Sequence, residues 1–199
     1  DVASEFIQGR PNDRIGIVLY AGESYTKTPI TSDKSIVLGA LNDVKFSEVL
    51  ENGTAIGMGL ATSVNRLKDS KALSKVIILL TDGVNNSGTI DPKLASELAV
   101  EYGIKTYTIG IGSNGMALSP IGIKSNGQFQ YGNQKVEIDE DLLKQIATAT
   151  GGQYFRATNN QKLEAIYEEI NKLEKTEVEE FKFYNYKELF RSLVLAALG

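Results

Sequence analysis

Lys75-Val-Ile-Ile-Leu-Leu-Thr-Asp-Gly-Val-Asn-Asn86 decides how this chain is read. Val76 to Leu80 are apolar without a break, so a strand built from them would bury both of its faces. Such strands occur in parallel sheets covered by helices on either side. Asp82 then sets a carboxylate at the carboxyl end of the strand, the edge where open α/β sheets bind their ligands. Upstream, Asn52-Gly53-Thr54-Ala55-Ile56-Gly57-Met58-Gly59 places a threonine hydroxyl where a helix is expected to begin. The chain contains no histidine and no cysteine. A hydroxyl and a carboxylate converging at one sheet edge therefore suggest an oxygen-ligand site for a hard cation such as Mg²⁺. Each residue also has a plainer reading: Thr54 could cap its helix, and Asp82 could accept backbone hydrogen bonds in a tight turn.

On either side of this stretch, strand and helix alternate. Arg14 to Ala21 reads as a strand too apolar to have a wet face, and Gly22-Glu23 turns it into a more polar strand around Tyr25 to Thr28. Thr31-Ser-Asp33 offers caps for a helix over Ile36, Val37, Ala40 and Leu41. Ile56, Leu60, Val64 and Leu67 form one stripe at helical period. Asp91-Pro92 supplies an N-cap followed by proline at the first helical position, with Gly103 as the terminating glycine. Ile104 to Ile111 is the next strand. Between Ser113 and Ile138, alternating apolar residues around Asn126-Gly127 predict a β-hairpin insertion. A helix over Leu142 to Ala147, a short strand at Gln153 to Ala157 and a helix with Leu163, Ile166, Tyr167, Ile170 and Leu173 on one face follow. Parallel strands need crossover connections, so the fold class is α/β, Rossmann-like, with helices on both faces of a mostly parallel sheet.

Composition removes several functions. The 199 residues carry a net charge of −4, and no basic cluster interrupts them, which argues against a nucleic-acid surface. Without histidine there is no imidazole general base and no Ser-His or Cys-His nucleophile pair. Gly53-Thr-Ala-Ile-Gly-Met-Gly59 has neither the spacing nor the lysine of a phosphate-binding loop. Gly110-Ile-Gly112 lacks the helix that a dinucleotide fingerprint requires. Mg²⁺-dependent hydrolysis would need further carboxylates beside Asp82, and Asp91 reads as a helix cap.

Gly53-Thr-Ala-Ile-Gly57, Leu79-Leu-Thr-Asp-Gly83 and Ile104-Lys-Thr-Tyr-Thr-Ile-Gly-Ile-Gly112 together resemble a von Willebrand factor type A domain. Asp13-Arg-Ile-Gly-Ile-Val-Leu-Tyr-Ala-Gly22, Asn85-Asn-Ser-Gly88, Val136-Glu-Ile-Asp139 and Ala149-Thr-Gly-Gly-Gln-Tyr-Phe155 are similar to the BatA-like branch, the membrane-anchored proteins of Bacteroides-type aerotolerance operons. The resemblance covers nearly the whole chain. It implies a protein-interaction domain, not an enzyme, with a metal-ion-dependent adhesion site for Mg²⁺ or Mn²⁺. Thr54 would be its threonine ligand and Asp82 its aspartate, the latter often acting through water. A partner protein's acidic side chain would complete the coordination, with other products of the operon as expected partners. The implied location is the inner membrane of a Gram-negative bacterium, with the domain facing the periplasm. The alternative is a metal-independent scaffold that binds through its helical or hairpin surface.

The family's Asp-x-Ser-x-Ser loop is not among these residues. Asp1-Val-Ala-Ser-Glu5 has alanine and glutamate where serines are required, and Asp33-Lys-Ser-Ile-Val37 sits in an expected helix cap. The resemblance places that loop, with the first and central strand of the sheet, upstream of residue 1. We therefore expect weak or no specific metal binding by this chain, since Mg²⁺ dehydrates reluctantly for an incomplete site. Strands 14–21 and 75–81 should also be left with unpaired edges, to be closed by a shift of about 4.8 Å or by a strand from another chain. Residues 1–176 are expected to form the domain. Residues 177–199 are read as a juxtamembrane tail leading into the start of a transmembrane segment, with Phe181, Phe183, Tyr184, Tyr186 and Phe190 as an aromatic belt.

Overall fold

A computed structural model describes residues 2–44, 53–112, 115–123 and 128–175. The chain opens with α1 (Val2–Gln8), then the antiparallel pair β1 (Ile15–Tyr20) and β2 (Ser24–Thr31). Helix α2 (Lys34–Asn42) begins at Asp33, which accepts from the amides of Ser35 and Ile36. The Ser35 hydroxyl, together with those amides, holds the Asp33 carboxyl below its usual range. Helix α3 (Ile56–Leu67) and strand β3 (Val76–Thr81) follow. Helix α4 (Pro92–Glu101) starts at the predicted Asp91 cap, and Gly103 turns the chain at φ +61° into β4 (Lys105–Ile111). The antiparallel hairpin β5 (Gly115–Ile123) and β6 (Phe129–Val136) is present, although its Asn126-Gly127 turn lies outside the described residues. Helix α5 (Glu140–Ala149), strand β7 (Tyr154–Ala157) and a last helix, α6, over 160–175 complete the order.

The parallel sheet runs β3-β4-β7. Its two faces follow from strand parity. Ile77 and Leu79 enter a core with Ile56, Leu60 and Val64 of α3, Ala95 and Ala99 of α4, and Leu143 and Ile146 of α5. Val76, Ile78 and Leu80 face the opposite way, toward Tyr107, Ile109, Phe155 and the α6 residues Ile166, Tyr167 and Ile170. Phe6 of α1 stacks on Tyr167 at 4.4 Å between centroids. Burial beneath this layer pushes the Tyr167 phenol up to about 12. On β4, Thr106 and Thr108 turn toward α5, where the Thr108 hydroxyl donates to the Leu143 carbonyl at 2.9 Å. Helices thus cover both faces, as the alternating pattern predicts.

Three details depart from the sequence reading. Val76, Ile78 and Leu80 are only half-buried, and β1 is half-buried along its length with Gly16 exposed, so neither strand is fully enclosed. The reason lies in the sheet. Among the described residues, β1 pairs only with β2, β3 pairs only with β4, and no ladder joins β1 to β3. The two strands have not shifted together. Helix α3 packs against both of them, and the Tyr20 hydroxyl reaches across to donate to the Leu80 carbonyl at 2.5 Å. Leu173, assigned to the inner stripe of the last helix, is exposed, whereas Glu174 beside it is buried.

Glu174 is held at the base of the sheet. It accepts from the Tyr107 hydroxyl at 2.7 Å and the Ser74 hydroxyl at 2.9 Å, and pairs with Lys105 at 3.1 Å. The last described turn of α6 is thereby fastened to the amino-terminal ends of β3 and β4. Residues 177–199, read above as a tail, lie outside the described residues. No described helix is long and apolar enough to cross a membrane.

Candidate functional site

The site lies at the opposite, carboxyl edge of β3. Thr81 is the last strand residue, and its hydroxyl accepts from the Gly83 amide at 3.3 Å, turning the chain immediately around Asp82. Asp82 is exposed, and among the described residues nothing donates a hydrogen bond to its carboxylate. The tight-turn role is thus taken by Thr81, not by Asp82. Tyr20 lies close by. Burial raises its pKa, the Asp82 charge adds to that rise, and a hydrogen bond with Thr81 opposes it.

Thr54 sits across from this turn. A Cβ built on Gly83 would stand 3.1 Å from the Thr54 hydroxyl oxygen, so the two loops pass closely enough, just where Asp82 departs, that a side chain at 83 would crowd that hydroxyl. Thr54 does not cap α3. The N-cap is Ala55, which has no side-chain cap, and the Ile56 amide is satisfied at 2.8 Å by the carboxamide oxygen of Asn85. Asn86 makes two bonds to residue 54: its Oδ1 accepts from the Thr54 backbone amide at 2.8 Å, and its backbone N–H donates to the Thr54 carbonyl at 3.0 Å. The Ala55 amide donates to the Ala21 carbonyl at 2.5 Å, tying the same loop to the end of β1.

Two glycines make the approach possible. A Cβ at Gly57 would fall 2.0 Å from the Ile90 carbonyl oxygen, and one at Gly59 would fall 2.7 Å from the Tyr20 ring. The first turn of α3 thus lies directly against the 90–92 backbone and the Tyr20 side chain. Sequence reasoning singled out Thr54 and Asp82 but missed Asn85 and Asn86. Their signal was present, since two carboxamides follow a strand-ending Asp-Gly, yet nothing local says that they reach residues 54 and 56.

As donors, a threonine hydroxyl and a carboxylate suit a hard cation by chemistry. By number they fall short of the usual six or more oxygens, and the described residues contain no group of three or more acidic or imidazole side chains that could hold a metal. Asp91 serves as the α4 cap, accepting from the Lys93 amide at 2.7 Å, and is not available to the site.

The von Willebrand factor type A domain family model matches residues 1–169, and the chain belongs to that family. It is 31% identical over 192 residues to a protein of Borreliella burgdorferi, an alignment covering 96% of this chain and 56% of that protein. The chain spans about half the length of the curated relatives it matches. Among solved structures it is similar to BatB from Bacteroides thetaiotaomicron, at 26% identity and a TM-score of 0.71, covering 87% of this chain and 85% of that one. An aerotolerance-related membrane protein from Bacteroides fragilis shares the fold at 24% identity and a TM-score of 0.69, over 86% of this chain and 83% of the other. So does proximal thread matrix protein 1 of the mussel byssus, described with zinc in its metal-ion-dependent adhesion site, at 24% identity and a TM-score of 0.63 over 86% of this chain and 39% of that one.

Proposed function

We propose that this chain is the protein-interaction domain of a membrane-tethered, aerotolerance-type protein, and that Thr54 and Asp82 contribute to a cation site at the carboxyl edge of β3. The observation that supports this reading best is the approach of the Thr54 hydroxyl to the Gly83 turn, beside an Asp82 carboxylate that no described protein donor satisfies. A Mg²⁺ or Mn²⁺ ion there would lack ligands, which the Asp-x-Ser-x-Ser loop of the whole protein and an acidic side chain of a partner would supply. Recognition then becomes metal-dependent, because an under-coordinated hard cation gains a carboxylate when the partner docks. The serine loop would reach the site from a strand between β1 and β3, a pair of edges that no ladder joins among the described residues. The partners are proteins, other products of the operon first among them. The site would face the periplasm from the inner membrane.

Crosslinking the full-length protein to its operon products, with and without EDTA, tests this. EDTA is expected to abolish the crosslink, and Asp82→Ala to reproduce that loss without chelator. A crosslink that survives EDTA but disappears when the β5–β6 hairpin is shortened would instead establish the metal-independent scaffold. Turnover of a phosphoester by the Mg²⁺-loaded protein, lost in Asp82→Ala, would contradict a non-enzymatic role.

A further inference from the structure

We propose that Asn85 and Asn86 are positioning residues whose side chains lock the Thr54 loop against the Asp82 turn. The inference rests on the reading of Thr54 and Asp82 as cation ligands. Along the chain these two residues are joined only through the whole of α3 and β3, so their separation is not fixed by local geometry. What fixes it is the 85–87 segment. The Asn86 side chain accepts from the Thr54 amide at 2.8 Å, beside a backbone bond from the Asn86 N–H to the Thr54 carbonyl at 3.0 Å that any residue at 86 would keep. Asn85 accepts from the Ile56 amide at 2.8 Å, which otherwise would be one of the unsatisfied amides at the start of α3. The Ser87 hydroxyl donates to the Asn86 Oδ1 at 3.0 Å and so orients the carboxamide.

Gly53 completes the clamp. Its φ is +135°, and a Cβ there would stand 1.9 Å from the Ser87 hydroxyl oxygen, so the two segments pass with no room for a side chain. The Asp82 turn continues directly into Asn85 and Asn86, so the aspartate and the clamp lie on one short segment. A carboxamide suits this place because it accepts a backbone hydrogen bond without adding charge beside a cation. Aspartate would accept equally well but would add a fixed negative charge. Supporting groups of this kind typically contribute ten- to a hundredfold in metal affinity, because a hard cation tolerates little displacement of its ligands.

The test uses two measurements on the full-length protein. Mn²⁺ affinity is expected to fall by about ten- to a hundredfold in Asn86→Ala. Amide hydrogen exchange measured without metal is expected to lose protection at Thr54 in Asn86→Ala and at Ile56 in Asn85→Ala, with the thermal midpoint little changed. Asn86→Asp, which keeps the acceptor, should restore exchange protection. Its added charge makes exchange, not affinity, the readout for that variant. A purely structural role would lower the midpoint and leave Mn²⁺ affinity as in wild type, and that result would overturn the proposal. So would wild-type exchange at Thr54 in Asn86→Ala. If the wild type itself binds no Mn²⁺, the cation reading falls, and the exchange data alone decide whether the clamp exists.

Discussion

Replacing Gly57 by alanine is expected to lower the stability of the domain by about 3 kcal/mol, the upper end of the usual cost of overpacking. The obstacle is backbone, not a mobile side chain. The added methyl would meet the Ile90 carbonyl oxygen at 2.0 Å and the Pro92 nitrogen at 2.9 Å. Helix α3 must then retreat from the 90–92 segment, and with it Ile56 and Leu60, both fully buried, leave their places in the core. For a domain of this size a 3 kcal/mol loss corresponds to a fall in thermal midpoint of roughly 6–12 °C. The helix-propensity gain of alanine over glycine, about 1 kcal/mol, is too small to compensate. Gly39 supplies the control. It lies within α2 with nothing inside 4 Å of its added Cβ, so Gly39→Ala should stabilise the protein by up to about 1 kcal/mol. Thermal melts of the two variants should therefore move in opposite directions. Equal and small shifts would show that α3 does not press on the 90–92 backbone.

Glu174→Ala is expected to cost about 3 kcal/mol, as is usual when one partner of a buried ion pair is removed. The carboxylate is 7% exposed and Lys105 16%, so water screens the pair poorly. Two hydroxyls, those of Tyr107 and Ser74, lose their acceptor in the same change. Glu174→Gln should be milder, since the amide oxygen can still accept from Tyr107 while the counter-charge to Lys105 is gone. The difference between the two variants, read from urea unfolding, separates hydrogen bonding from charge. Because Glu174 closes the described part of α6 at the base of the sheet, Glu174→Ala should also expose 160–175 to proteolysis before the rest of the domain. Loss of stability without local proteolysis would place the contribution of Glu174 elsewhere.

What the sequence revealed, and what it hid, follows from the range of each signal. Strand β3 was legible because its uninterrupted apolar run marks a strand with apolar neighbours on both faces, although one face stays half-buried, and Asp33, Asp91 and Gly103 were legible because caps and left-handed turns are local chemistry. Glu174 was not. A charged residue next to Leu173 on a helix reads as solvated, and only the tertiary placement of Tyr107, Ser74 and Lys105 inverts that pair's exposure. Thr54 was expected either to cap α3 or to present its hydroxyl at the sheet edge. The cap comes from Asn85, 29 residues from Ile56 in sequence and invisible to any reading of residues 52–59. The break between β1 and β3 carries no local mark either, since both strands look like interior strands. The resemblance to the von Willebrand factor type A domain raised the expectation of unpaired edges there, and among the described residues no ladder joins β1 to β3.

We propose that Thr54 and Asp82 belong to a cation site whose remaining ligands come from outside these 199 residues. Calorimetric titration with Mn²⁺ tests it most directly, comparing this chain with one extended upstream through the Asp-x-Ser-x-Ser loop. The extended chain should bind on the order of micromolar, about 8 kcal/mol, and this chain no tighter than about millimolar, about 4 kcal/mol. In the extended chain, Thr54→Ala and Asp82→Ala should each weaken binding. Micromolar binding by the present chain, or an extended chain whose affinity is indifferent to Asp82→Ala, would contradict the account.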